Sequence, residues 1–589
     1  RAAEGPGHAA LGRGLLALGE DAEAVTHLGR AWASGYRVPD VACSLGLGLG
    51  RRYQQELTKG RRIQDPALRA TRLEESRRTL RDPALEYLRS CSGSGSAPAE
   101  YVKGLVAFYE GRHEEALRLA GAALARARWL HEALLLEGDV FLERGVAARD
   151  RGDATAALRD FEAAEGAYRR AAGIARSDPR CRLRIAKAWD AVGELRRQAR
   201  SGDLETPVRR AIAAVDEALA ADADDVDAHV LRAGEVWSLA EARFERGRDP
   251  AAELDEAERS LKEALARKPD HAAANMNLGV VEFFRGAHAM GRGEDPRPRL
   301  KTAIAAWEKA AAGDPSDGGP VSNASLAWSR IALWELDHGH DAAAALEEAV
   351  RTARLAVKLG PGRASFLNSL NVALMRLASF QEGRGRESDA TYLEAISAGE
   401  NAVAANPGDR VSANNLACAR QALGRTKAAR GDDGARPLLE KAATEFRRAI
   451  EESPDYPLPW FNLGTAERDL AAIARFRGED PAPFLARSRE ALGRAARLDA
   501  SDATVHDELA RTELLAAEVA LEGGRSPSAS LREARGHLDR ALARDPKLAS
   551  ARLDAARASL LEALDARRRG ASPDAAVAAA RTSVARVRK

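Results

Sequence analysis

Cysteine is scarce in this sequence: Cys43, Cys91, Cys181 and Cys418 are the 4 cysteines in 589 residues, and no two form a Cys-x-x-Cys pair. That spacing argues against a zinc ribbon or a small disulfide scaffold and predicts reduced, buried thiols. A field of one sign is also missing, because Lys+Arg 90 against Asp+Glu 88 leaves a net charge of +2. A dedicated nucleic-acid binder needs many phosphate-neutralising cations, so no nucleic-acid partner is expected. No apolar run approaches the ~20 residues of a membrane-spanning helix, and 30% charged residues is too many for a membrane protein. No membrane insertion is expected. The chain opens Arg1-Ala2-Ala3-Glu4-Gly5-Pro6, without an initiator Met, a basic n-region or an apolar h-region. This predicts no secretory signal, a reducing cytoplasmic location, and a start that was removed or belongs to something longer.

What is present is a repeat. Turn-like dipeptides recur at Asp178-Pro179, Asp222-Ala223, Lys268-Pro269, Asp314-Pro315, Gly360-Pro361, Asn406-Pro407, Ser453-Pro454, Asp499-Ala500 and Asp545-Pro546, a period of about 46 residues. Alanine stands four positions before each of the last eight turns, at 218, 264, 310, 356, 402, 449, 495 and 541. Seven positions further back stand Ala211, Ala257, Ala303, Ala349, Ala395, Ala442, Ser488 and Ala534. Small residues seven apart share one helical face and let a neighbouring helix approach closely. A second punctuation falls midway through the units, as in Gly293-Glu294-Asp295-Pro296 and Gly478-Glu479-Asp480-Pro481, with counterparts at Gly247, Gly339, Gly431, Gly524 and Gly570. There Gly supplies a left-handed C′ position, Asp or Ser caps the next helix, and Pro fits its first turn. Each unit therefore reads helix A, turn, helix B, turn. The breakers every ~20 residues argue against a long coiled coil, and the periodic apolar anchors argue against disorder.

Residues 1–177 follow the same logic with looser spacing, and residues 178–589 form the regular array. Helix pairs are predicted around Leu15–Gly19 with Asp21–Trp32, Tyr101–Gly111 with Glu114–Ala127, and Trp129–Gly152 with Asp153–Ala175. Ser92-Gly93-Ser94-Gly95-Ser96-Ala97-Pro98 is the one linker-like stretch. The expected fold is all-α, an α-solenoid superhelix of about thirteen helix pairs that offers a concave surface.

Asn277-Leu278-Gly279, Asn462-Leu463-Gly464 and Asn415-Leu416-Ala417, with the paired alanines and the closing Asp-Pro or Asn-Pro, resemble the tetratricopeptide repeat. The family unit has 34 residues; this one adds about twelve, chiefly by lengthening helix A. A narrower resemblance rests on Gly19-Glu20-Asp21, Trp32-Ala33-Ser34-Gly35-Tyr36, Ala107-Phe108-Tyr109-Glu110-Gly111-Arg112 and Leu136-Glu137-Gly138-Asp139-Val140. These are similar to the tetratricopeptide region that follows the catalytic domain in some bacterial serine/threonine protein kinases. The kinase motifs themselves, Asp-Phe-Gly, His-Arg-Asp and Val-Ala-Ile-Lys, do not occur in this sequence.

No motif supports catalysis, so no enzyme, cofactor or metal is expected. Gly46-Leu47-Gly48-Leu49-Gly50-Arg51 lacks the preceding strand and third glycine of a phosphate loop, and reads as a helix with small packing positions. His338-Gly339-His340-Asp341 falls in a mid-repeat turn, and His113-Glu114-Glu115 and His131-Glu132 lack the second histidine of a zincin, so they read as helix starts. Paired carboxylates are taken as solvated helix faces. Trp237, Trp307, Trp328, Trp334 and Trp460 are taken as core.

Nine residues beyond each turn, helix A carries Leu231, Asn277, Asn323, Ser369, Asn415, Asn462, Glu508 and Asp554. By resemblance to peptide-binding tetratricopeptide proteins, Asn277, Asn323, Asn415 and Asn462 are expected to line a groove and meet a ligand main chain. Arg330, Arg376 and Arg468 follow on nearby faces and would hold acidic groups. The alternative is that these asparagines only tie adjacent repeats together. The expected function is a non-catalytic scaffold that binds a protein or peptide segment in its groove. The alternative is the regulatory or substrate-recruiting region of a bacterial serine/threonine kinase whose catalytic domain lies upstream. Homo-oligomerisation through the array ends is a third reading.

Overall fold

The computed structural model describes residues 4–61, 66–91, 98–198, 203–246 and 248–587. Among these, twenty-seven α-helices follow one another without a strand. The chain is an α-solenoid of helix pairs, divided into two compact units, 1–339 and 340–589. No helix among the described residues is long and apolar enough to cross a membrane.

The first unit opens with α1 (Glu4–Leu18), α2 (Asp21–Ala33) and α3 (Pro39–Arg61). Then come α4 (Pro66–Ser76), a π-helical turn (Arg77–Arg81) and α5 (Asp82–Cys91), which run on as one bent rod. Next stand α6 (Ala99–Tyr109) with α7 (His113–Arg126), α8 (His131–Asp150) with α9 (Ala154–Ile174), and α10 (Pro179–Gln198) with α11 (Glu205–Ala221). α1 with α2, α6 with α7 and α8 with α9 answer to the three helix pairs expected in this region, while residues 92–97 of the linker-like stretch lie outside the described residues. The unit continues with the regular repeats to helix Gly318–Asp337.

From residue 226 onward helix A has 20 residues, as in Ala272–Gly291, and helix B has 17 in most repeats, as in Arg297–Gly313, with 18 in Ala435–Glu452 and 14 in Asp574–Val587. The spaced alanines face inward as expected: Ala211, Ala257, Ala303, Ala349, Ala395, Ala442 and Ala534 are buried, as is Ser488. The mid-repeat turns also form as read. Gly293, Gly339, Gly431, Gly478, Gly524 and Gly570 all adopt φ between 71° and 74°, the left-handed region open to glycine. Gly247 lies outside the described residues. Behind these glycines the carboxylates of Asp295, Asp341 and Asp480 accept from the backbone N–H of Arg297, Ala343 and Ala482 at 3.0, 3.2 and 3.0 Å.

The glycine of Asn277-Leu278-Gly279 has a packing cause. A Cβ on Gly279 would lie 2.3 Å from Trp307 Nε1, and that indole donates to the Met276 carbonyl at 3.1 Å. Helix B's tryptophan thus seats directly on helix A's backbone.

Two expectations are overturned. Cys43 and Cys91 are joined by a disulfide, with Cα atoms 5.5 Å apart, and only Cys181 and Cys418 are free. The pair was invisible to a search for local Cys motifs because its 48-residue separation joins two antiparallel members of one pair, α3 and α5. Nor are the carboxylates all solvated. Glu467 is fully buried, and Arg447 and Arg487 donate to its two oxygens, the latter at 2.9 Å. Arg420 is buried in turn between Glu400 and Glu445. Within the first unit Glu282 is held by Arg299 at 3.2 Å. The charges are thus buried in oppositely charged sets, as an interior charge requires, and Glu445 Oε2 is left without a hydrogen bond.

Candidate functional site

The first five helix pairs coil so tightly that α10 returns to α1. Arg180 Nη1 donates to the Ala17 carbonyl at 3.2 Å, across 163 residues of sequence. The first helices of the pairs, α1, α3, α6, α8 and α10, face inward and line a half-open cavity of about 550 Å³. A second chamber of about 290 Å³ shares Arg51, Tyr101, Arg184 and Lys187 as wall. Volumes of ~300–1,000 Å³ are those of ligand pockets.

Close approach of the helices makes this geometry. Gly46, Gly48 and Gly50 lie on α3, helical as expected. A Cβ on Gly46 would lie 2.6 Å from Leu88, and one on Gly50 would lie 2.2 Å from the Tyr109 ring. The glycines let α5 and α6 pack onto the α3 backbone, and the next residue, Arg51, enters the cavity wall. Apolar wall is supplied by Leu47, Leu105, Leu135 and Leu183.

The cavity gathers cations. Arg51 donates to the Leu16 carbonyl at 3.2 Å and pairs with Asp21 at 3.5 Å. Burial nonetheless holds Asp21 above the usual carboxylate range, outweighing Arg51. Arg184 pairs with Asp139, which also accepts from the Tyr168 hydroxyl at 2.7 Å. Arg184 keeps 32% of its side chain accessible, on the side that faces the cavity. Burial, and then the charge of Arg51, push its pKa down to about 10. Lys187 is lowered likewise, first by burial and then by Arg184. Burial raises the Tyr101 phenol to about 12. Depressed guanidinium and ammonium groups around one cavity mean that like charges are held together with incomplete compensation, which an anionic guest relieves. Asp21, Asp40 and Glu132 line the same cavity, and the overall charge of +2 gave no sign of this grouping of cations.

At the rim, Asp178 precedes α10 and accepts both Arg180 guanidinium nitrogens, Nη2 at 2.8 Å. Its pKa lies below the ordinary value; burial works against this, and the bonds from Arg180 win. His131 opens α8 beside it, with Nε2 3.5 Å from Asp178. Cys181 is buried one turn into α10, and burial followed by the Asp178 charge pushes its thiol up to about 11.

The residues expected from sequence to bind a ligand lie elsewhere. Asn277 and Asn323 are half-buried on helix A of successive repeats in the first unit, and Asn323 Nδ2 approaches Met276 Sδ at 3.9 Å. Arg330 sits over the Phe283 ring, 5.2 Å from its centroid, and burial lowers its pKa. In the second unit Asn415 Nδ2 donates to Asn368 Oδ1 and Asn462 Nδ2 to Asn414 Oδ1, both at 3.0 Å. Arg468 is paired with Glu508 and with Asp469 at 3.1 Å, and Arg376 is half-buried. Thus Asn415, Asn462 and Arg468 all engage side chains of a neighbouring repeat.

No protein-family model matches the chain, and no curated protein matches it. Solved structures to which it is similar include the APC/C hetero-tetramer Cut9–Hcn1, with 16% identity, 93% of this chain and 95% of that one covered, and a TM-score of 0.36. Yeast Tom70 has 13% identity, 83% and 96% coverage and a TM-score of 0.32. TTC0263, a thermophilic tetratricopeptide protein of Thermus thermophilus, has 19% identity, 39% and 96% coverage and a TM-score of 0.25. At these identities and TM-scores the likenesses carry no functional weight.

Proposed function

We propose that the chain is a non-catalytic protein-binding scaffold whose N-terminal cavity seats an acidic segment of a partner protein. The observation that carries this reading is the convergence of Arg51, Arg184 and Lys187 on one cavity, with Arg184 shifted toward deprotonation by burial and Arg51, and Lys187 by burial and Arg184. Carboxylates placed there would gain charge-assisted hydrogen bonds where bulk water is largely displaced, and the leucine walls would cover the apolar stems. The asparagine ladder then serves as a set of ties between repeats, a role favoured by the bonds from Asn415 to Asn368 and from Asn462 to Asn414.

The test is fluorescence anisotropy with a labelled peptide that alternates leucine and glutamate, against its leucine–glutamine counterpart. The acidic peptide should bind more tightly, lose affinity as salt is raised, and bind about tenfold more weakly, about 1.4 kcal/mol, to Lys187→Gln. Equal binding of the two peptides, or a Lys187→Gln variant that binds as the parent does, would refute the assignment of this cavity. Replacing Asn415 and Asn462 with Ala should leave the affinity unchanged.

A further inference from the structure

His131, Asp178 and Cys181 come from two separate helix starts and have no role in the cavity reading above. Their donor atoms, an imidazole nitrogen, a carboxylate oxygen and the sulfur, all lie within 4.8 Å of one another. His131 Nε2 and Asp178 Oδ2 are 3.5 Å apart, already the edge of a tetrahedron whose donors stand ~2.0–2.3 Å from a metal. The sulfur needs to close by about 1 Å, the scale of a side-chain rotation.

The simpler account is an imidazolium held between two carboxylates, since Glu132 Oε2 lies 3.3 Å from His131 Nδ1. One feature is left over by it. His131 Nε2 and Glu132 Oε2 are both buried atoms that make no hydrogen bond, so the ring is near both acids but well aligned with neither. Cys181 is fully buried beside Leu134 and Ala171, with its sulfur within 4.8 Å of the polar pair. A cation among the three donors gives the unpartnered Nε2 a bond. Nε2 becomes a ligand, Nδ1–H is left for Glu132 to orient, and Asp178 Oδ2 is shared between the cation and Arg180, whose Nη2 donates to it at 2.8 Å.

We propose that His131, Asp178 and Cys181 form a divalent transition-metal site that clamps the first turn of α8 to the first turn of α10. One sulfur, one nitrogen and one oxygen suit Zn²⁺ over Mg²⁺ or Ca²⁺, which prefer all-oxygen shells. Binding exchanges the Cys181 S–H bond for a metal–thiolate bond and releases that proton to solvent, with no change of oxidation state. Water completes the four-coordinate shell. The positive charge of Arg180 opposes the dication, so the site depends on the thiolate.

Titration of the full chain with Co²⁺, a spectroscopic substitute for Zn²⁺, tests this. The expected result is a near-ultraviolet thiolate-to-cobalt absorption that saturates at one equivalent, is displaced by Zn²⁺, and is absent from Cys181→Ser and at least tenfold weaker in affinity in His131→Gln. Cys418→Ser should retain it, and far-ultraviolet circular dichroism should show each variant still helical. Zn²⁺ should raise the melting temperature of the parent and not that of Cys181→Ser. Absence of the thiolate band in the parent, or its persistence in helical Cys181→Ser, would overturn the site, and so would equal affinity of His131→Gln and parent. None of these readouts depends on peptide binding, so failure here leaves the cavity assignment standing.

Discussion

Glu235 lies on helix Val226–Glu245 with 4% of its surface exposed, and replacing it with glutamine should make the protein more stable at neutral pH. Burial raises its pKa from 4.5 to about 9, the negative charge of Asp190 adds to the shift, and Arg197 offsets only part of it. The sign follows from proton counting. Between pH 4.5 and about 9 the folded chain keeps the Glu235 proton that the unfolded chain releases, so stability falls as pH rises through that window. The slope is about 1.4 kcal/mol per pH unit, which amounts to about 3 kcal/mol by pH 7. An amide cannot ionise and keeps the same shape. Glu235→Gln should therefore match the parent near pH 4.5 and exceed it by up to about 3 kcal/mol at pH 7. The array unfolds in local units, so the readout is hydrogen exchange of helix Val226–Glu245, supported by urea unfolding followed at tryptophan between pH 4.5 and 8. Taking the difference between variant and parent at each pH cancels the other titrating groups. A difference that stays flat across this range, or a variant less stable at pH 7, would show that Glu235 is ionised in the folded state and refute the reasoning.

Gly279→Ala should cost about 1–3 kcal/mol, because its methyl meets the Trp307 indole and the core there has no slack. Gly234→Ala, with nothing within 4 Å of the added carbon, should instead be neutral or stabilising by up to about 1 kcal/mol, and urea midpoints of the two variants provide the check. Cys43→Ser should lower stability by up to about 4 kcal/mol from the loop-closure entropy of a 48-residue separation. Reductant should lower the melting temperature of the parent and leave that of the variant unmoved; four free thiols in the native parent would refute the bridge.

The parts of this structure that the sequence made legible share a physical origin. Ala257, Ala303 and Ala349 are buried at the expected register because each repeat must pack on the one before it, and the same contact must be written again every 46 residues. The left-handed glycines at 293, 478 and 524 follow for the same reason. The buried charges carried a weaker form of that signal. Glu282, Arg420, Glu467 and Glu513 all stand fourteen residues beyond a turn and all are buried, but the sign is not constant, and other repeats carry Val236, Trp328, Leu374 and Ser559 there. A residue-by-residue comparison therefore sees variability where the structure keeps a pair. Had positions been aligned by register and scored for ionisable character alone, Arg447 and Arg487 on the adjoining B helices would have stood out as the complements of Glu467.

The cavity and the His131–Asp178–Cys181 cluster lacked even that signal. Their residues meet because five helix pairs bring α10 back onto α1, as Arg180 reaching the Ala17 carbonyl records. Curvature of this kind accumulates from the small rotation between one helix pair and the next. That rotation is set by helix lengths and close approaches such as Gly50 against Tyr109, not by any residue type at a fixed spacing. The irregular segment before residue 178 also offers no period along which to project a face. Periodicity thus encodes contacts between neighbouring repeats, whereas a site formed where one turn of the coil meets an earlier turn must be found in three dimensions. Balanced composition hid it further: Arg51, Arg184 and Lys187 are spread over 136 residues of a nearly neutral chain, and only the closing of that turn makes them neighbours.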